Sequence, residues 1–141
     1  MTPQSFFNKW NGKYCEFNND QYLFQCVDLA RQYIKEVLGY PQASMPPAGY
    51  AKDIFKNFVG NDYFGKVPNG PYNAPRTGDI VFWGYYPFVT GWAGHVAICS
   101  TASTYGLVTF DQNWSNPSFC RYVNHKYRGV LGWLHPKKTI A

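Results

Sequence analysis

The sequence predicts an α+β domain with its helices first and its strands second. Apolar residues recur at helical spacing before Gly60. Beyond it come short runs rich in β-branched and aromatic residues, separated by Gly, Ser, Asn and Pro. The 141 residues fit one domain able to bury a core, and 13 Gly with 10 Pro imply short elements joined by many loops.

Taken in order, Thr2 and Pro3 read as an N-cap and first helical residue, predicting a helix over 3–10 that Asn11-Gly12 ends. Residues 11–24 form an irregular loop with "EFNND" at its middle. The next helix runs from Cys26 to Leu38, with Val27, Ala30, Ile34, Val37 and Leu38 at helical spacing and Gly39 as its stop. Pro41, Pro46 and Pro47 make a rigid connection to a third helix near 50–58. Residues 61–78 read as loop. The strand-like runs are "DIVFWG" (79–84), "GHVAICST" (94–101), "LVTFDQNW" (107–114), "FCRYVNH" (119–125) and "GVLGWLHP" (129–136). Their short connections predict an antiparallel meander with the helices on one face. The expected domain is 1–136, and "KKTIA" (137–141) reads as the start of a linker. No internal repeat is evident.

The 13 Lys+Arg against 8 Asp+Glu give a formal charge of +5. The cations are scattered, with a small group at Arg128, Lys137 and Lys138. A basic, aromatic-rich chain suits nucleic acid or other polyanions, such as teichoic acids, and equally a plain solvated surface. No apolar run reaches the roughly 20 residues of a membrane span. The start "MTPQSFFNKW" lacks an apolar signal core, so synthesis in the cytoplasm without a signal peptide is expected. In that reducing compartment Cys15, Cys26, Cys99 and Cys120 are expected as free thiols.

A thiol needs help to ionise near neutrality, from a helix N-terminus or an adjacent imidazole. Cys26 alone is predicted at a helix start; Cys99 and Cys120 fall in strands and Cys15 in a loop. His95 opens a strand directly after Gly94, whose missing side chain leaves room beside the ring. His125 lies in a polar turn and His135 precedes a proline. In "VTFDQNW", Asp111 and Asn113 are two apart and so share a strand face, within reach of an antiparallel strand carrying His95. The competing reading of that face is a polar edge turned to solvent. The loop 84–93, "GYYPFVTGWA", reads either as one wall of a groove beside His95 or as a lid on the core.

The order "QCVDL", "GDIVFW", "GHVAI", "DQNW" resembles the CHAP domain, the cysteine/histidine-dependent amidohydrolase/peptidase of phage endolysins and bacterial wall hydrolases. The resemblance runs from "WNGKY" near residue 10 to "GWLHP" near residue 135. It implies a papain-like fold and a thiol nucleophile that attacks peptidoglycan amides, with no cofactor needed for the thiol chemistry. Residue by residue, Cys26 matches the nucleophile, His95 the base, Asp111 the group that orients the imidazole, and Asn113 the nearby amide. Gln25, with the Cys26 backbone N–H, matches the oxyanion-binding position. Many relatives carry a calcium-binding Asp-x-Asp-Gly loop upstream of the nucleophile; "EFNN" stands there here, followed by a one-residue insertion. Glu16, Asn18, Asp20 and Asp28 could supply oxygens to calcium, with lower ligand charge and a weaker site. The alternative is an ordinary polar loop, with Asp28 solvated in the first helical turn.

The resemblance further implies a peptidoglycan substrate, action on the wall after release, and a monomeric module with a wall-binding domain following. Anionic wall polymers are a further expected partner; nucleic acid is not. Two alternatives stand beside it. One is the NlpC/P60 wall peptidases, which place a second histidine in the third position. The other is a non-catalytic wall-binding module using Tyr85, Tyr86, Trp92 and Trp114 as a stacking platform.

Overall fold

A computed structural model describes residues 1–18 and 25–138. Helix α1 spans Pro3–Trp10. Its start is fixed as the sequence implies: the Ser5 N–H donates to Thr2 Oγ1 at 3.1 Å, and the Thr2 N–H donates back to Ser5 Oγ at 2.9 Å. Helix α2 spans Cys26–Tyr33 and continues as a π-helical turn over Ile34–Leu38. The predicted end holds, because Gly39 adopts a left-handed φ of 66° and donates its N–H to the Ile34 carbonyl at 2.8 Å. A short 3₁₀ turn, Gln42–Ser44, leads to α3 at Ala51–Asn57.

The sheet departs from the expected meander in two ways. Strands β2 (Ile80–Trp83), β3 (His95–Ala102), β4 (Leu107–Asp111) and β5 (Arg121–His125) do pair in succession. Strand β6 (Val130–Pro136) instead returns to the far side of β2. The stretch expected as loop contains β1, Phe64–Pro68, which pairs antiparallel with β6 and gives the order β1-β6-β2-β3-β4-β5. Gly65 and Pro68 hide this strand from propensity, and an edge position is where proline is tolerated.

The sheet is strongly curled. Only residues 126–129 join β5 to β6, although β2, β3 and β4 lie between them. A flat sheet would separate β5 and β6 by about 19 Å, near the limit of so short a link. The ring of Trp83 on β2 lies 4.7 Å from that of His125 on β5, across two intervening strands. Strand parity divides the core accordingly. Phe82, Val96, Ile98 and Phe110 pack with helix residues Phe6, Leu29 and Ile34. Val81, Trp83, Ala97 and Cys99 face the other way and form a second cluster in the sheet's concavity. His95 and Asp111 share that second parity.

Gly94 sets the entry to β3. Its φ is +76°, and an added Cβ would stand 2.3 Å from the Trp83 carbonyl oxygen and 2.8 Å from Lys52 Cβ. The room beside the His95 ring that the sequence suggests is therefore taken by the protein's own backbone. Gly94→Ala should destabilise the domain by about 2–5 kcal/mol, from left-handed strain plus overpacking, measured as a lower urea midpoint. An unchanged midpoint would contradict this packing.

Candidate functional site

The start of α2 meets the end of the curled sheet, and the predicted residues come together there. Cys26 is the first residue of α2, with Gln25 as the N-cap. The Gln25 N–H donates to Asp28 Oδ2 at 2.9 Å. Asp28 is only 6% exposed, so the solvated carboxylate expected as the alternative is not what forms. It is a buried cap, placed where the helix dipole favours its charge.

His95 is buried, and its Nε2 lies 2.7 Å from Asp111 Oδ2. That leaves Nδ1 for the Cys26 thiol, which lines the same cleft. Burial alone would lower the His95 pKa, but the hydrogen bonds to Asp111 and Cys26 and their charges outweigh it and raise it to about 9. Burial likewise opposes the Asp111 carboxylate, yet hydrogen bonds from His125 and His95 hold it below the usual range.

Two partners of Asp111 escape the sequence reading. Thr109 Oγ1, fully buried, donates to Asp111 Oδ1 from two residues back on the same strand face. His125 closes β5 instead of sitting in a turn, and its Nε2 lies 3.0 Å from Asp111 Oδ2. Thr109 carries a legible signal, its i, i+2 spacing to Asp111. His125 carries none locally, because only the curl of the sheet delivers it. Trp114 packs against both imidazoles, with ring centroids at 4.8 Å from His95 and 4.7 Å from His125.

Asn113 is placed otherwise than expected. Strand β4 ends at Asp111, and Asn113 turns out of it with φ 61°, donating its N–H to the Ser118 carbonyl at 2.8 Å. The shared-face argument therefore does not apply to it. Asn113 is exposed and still lines the cleft with Gln25, Cys26 and His95.

That cleft has a volume of about 680 Å³. A second groove of about 370 Å³, walled by Phe88, Thr90 and Trp114, meets it at Gly94, His95 and Asn113. The loop 84–93 thus forms a groove wall and not a lid, with Phe88 and Trp92 exposed at its tip. Trp92 is covered on one face by Lys52 Nζ, 3.3 Å from the ring centroid.

All four cysteines are free. Burial pushes Cys15, Cys99 and Cys120 up to about 12, and all three are fully buried, whereas Cys26 lines the cleft. A second histidine–carboxylate pair, His135 Nδ1 to Asp79 Oδ1 at 2.7 Å, stands in a separate pocket that no cysteine lines.

The proposed calcium ligands are only partly in view. The Asn18 N–H donates to Glu16 Oε1 at 3.0 Å, and Asp28 caps the helix. Asp20 lies outside the described residues. Among the described residues, no cluster of three or more His, Cys, Asp or Glu could hold a metal ion. Oxygen donors of this kind suit a hard cation, and Asn18 and Asp28 line the same cleft. No helix among the described residues is long and apolar enough to cross a membrane.

An α+β fold that sets a helix-start thiol against an imidazole and carboxylate on an antiparallel sheet has the layout of the papain-like class. Residues 16–113 match the CHAP domain, and the chain belongs to that family. Among solved structures, the chain is similar to a wild-type endolysin, LysIME-EF1, at 24% identity and a TM-score of 0.76, covering 96% of this chain and 65% of that one. It is also similar to Ly7917 (17% identity, TM-score 0.66, covering 96% and 62%) and to Ly7917 with the hydrolyzing product of MDP (16%, 0.66, covering 95% and 61%). The chain thus spans less than two thirds of each of these structures. No curated protein matches the sequence.

Proposed function

We propose that the chain cleaves an amide bond of peptidoglycan, as an amidase or an endopeptidase, with Cys26 as the nucleophile. In this reading it is the catalytic module of a phage endolysin, a monomer acting on the wall after release. A wall-binding module works beside it, and anionic wall polymers meet its basic surface. The observation that carries the reading is the relay from Asp111 through buried His95 to the Cys26 thiol in an open cleft.

The chemistry follows from the geometry. With the proton that the pair shares resting on His95 Nδ1, Cys26 Sγ attacks the carbonyl carbon, forming the C–S bond and a tetrahedral oxyanion. The Cys26 N–H and the Gln25 side chain stabilise that oxyanion. The imidazolium then protonates the leaving amine as the C–N bond breaks. Water, deprotonated by the same imidazole, hydrolyses the thioester and restores the thiol. Asp111 fixes the ring and stabilises its charged form, with Thr109 and His125 holding the carboxylate. Asn113 stands beside His95 at the junction of the two grooves, where it can contact substrate. Grooves on both sides of His95 suit an extended polymer, with room for the acyl and amine sides of the bond.

A wall-binding module without catalysis does not account for the buried His95–Asp111 pair beside the Cys26 thiol, whereas exposed Tyr85, Tyr86 and Trp92 suit either reading. The NlpC/P60 reading is disfavoured by the carboxylate on His95 Nε2; the second histidine binds that carboxylate, not His95.

Mass spectrometry of fragments released from purified walls tests the reading. An amidase frees stem peptides from glycan, whereas an endopeptidase creates new amino ends within peptides. No released fragment, from walls of several compositions, would overturn it. The same digest in the presence of a chelator tests for calcium: loss of products restored by calcium supports a site at Glu16, Asn18, Asp20 and Asp28, and unchanged products show that the reaction needs none.

A further inference from the structure

Gln112, between Asp111 and Asn113, is fully buried and hydrogen-bonded through both ends of its amide. Its Oε1 accepts the Cys15 N–H at 2.6 Å and lies 3.4 Å from the Cys120 thiol. Its Nε2 donates to the carbonyls of Cys15 and Gln25, each at 2.8 Å. The Gln25 carbonyl belongs to the same peptide unit as the Cys26 N–H, and that unit is trans. In a trans unit the carbonyl and the N–H point in opposite directions. That carbonyl also accepts the Asp28 N–H at 3.1 Å; held between the helix start and buried Gln112, it aims the Cys26 N–H away from Gln112, and as the first helical residue Cys26 has no intrahelical acceptor for it.

We propose that Gln112 is a positioning residue that orients the oxyanion-binding N–H of Cys26 through the Gln25 carbonyl. The inference rests on Cys26 being the nucleophile. It gives the end of β4 two consecutive duties: Asp111 aligns the imidazole, and Gln112 aligns the peptide that receives the developing negative charge.

The test separates oxyanion stabilisation from thiol activation. Gln112→Glu keeps an oxygen for the Cys15 N–H and removes the donor to the Gln25 and Cys15 carbonyls. Turnover of wall substrate at saturation should fall about a hundredfold or more, with the half-saturating concentration changed less than about twofold. Alkylation of Cys26 by iodoacetamide at fixed pH passes through no carbonyl oxyanion, so its rate should stay within about twofold of wild type. Unchanged turnover overturns the proposal. So does a parallel fall of turnover and alkylation, which is what simple loosening of the fold gives. If circular dichroism shows Gln112→Glu unfolded, Gln112→Met, similar in volume and without a donor, carries the same expectations. If neither folds, the wild-type chain decides: its Cys26 amide proton should shift downfield when the thiol adds to acetyl-alanyl-glycinal, and an unmoved resonance overturns the proposal. Cys26→Ala assayed alongside keeps the two claims apart. Full activity there defeats the catalytic reading, while inactive Cys26→Ala beside fully active Gln112→Glu defeats only this one.

Discussion

Cys26→Ala should abolish the lysis of susceptible walls, lowering turnover by four or more orders of magnitude, on the order expected when a catalytic nucleophile is removed, while leaving the fold intact. Cys26 is 9% exposed and packs with the main core cluster, but the substitution deletes only its sulfur and leaves Cβ in place, so the fold is retained. Helix α2 keeps its other supports, since the Asp28 cap acts through the Gln25 N–H and the Gln112 anchor acts through the Gln25 carbonyl. Unaltered circular dichroism with no turnover is the expected pair of results. Cys26→Ser is expected to be nearly as inactive, because an imidazole tuned to a thiol is a poor partner for a hydroxyl of much higher pKa. Lysis by Cys26→Ala at the wild-type rate would end the assignment.

The second large effect belongs to Asp111→Asn. The carboxylate and the thiol are what raise His95 to about 9 against the opposing effect of burial. Without the charge at Asp111 the imidazolium loses its proton at lower pH. The leaving amine then lacks its acid in a range where the wild type still has one. Turnover near neutrality should fall by about two to four orders of magnitude, the span of positioned acid–base catalysis. The alkaline limb of the rate profile should move from near 9 to lower pH. The same linkage affects stability. A histidine raised on folding stabilises fully below its unfolded pKa of about 6.5, and that contribution is lost as pH rises toward the folded value. The wild type should lose this increment between those two pH values, and Asp111→Asn should show less of it. A pH–rate profile of unchanged shape in Asp111→Asn would show that the carboxylate does not govern the imidazole.

The helices were legible because their signals are local: Thr2-Pro3 at one start, Gly39 at an end, and the apolar spacing of Ala30 and Ile34. The dyad was legible for a similar reason. Cys26 at a helix start, and His95 and Asp111 on adjacent strands, follow from element order and strand parity. What escaped depends on the sheet as a whole. The edge strand Phe64–Pro68 forms only because β6 returns to β2, a pairing across the length of the sheet. His125 reaches Asp111 only because the sheet curls. Asn113 was misplaced and Gln112 passed over, since period-two reasoning assumes a strand continuing to residue 114. The chain instead leaves the ladder after Asp111, burying Gln112 against Cys15 and Gln25 and turning Asn113 outward. A residue whose function is to hold other backbone carries no chemical signature of its own, so "DQNW" displays its acid and hides its clamp.

Identifying which cysteine reacts first with iodoacetamide near neutral pH, by peptide mass spectrometry of the folded chain, tests the central claim most directly. Cys15, Cys99 and Cys120 are buried thiols pushed up to about 12, and Cys26 alone of the four lines the cleft, together with His95. The account predicts carbamidomethylated Cys26 while the other three remain unmodified, with wall lysis lost in step with the label. Equal, slow labelling of all four, or complete labelling of Cys26 with lysis retained, would contradict it.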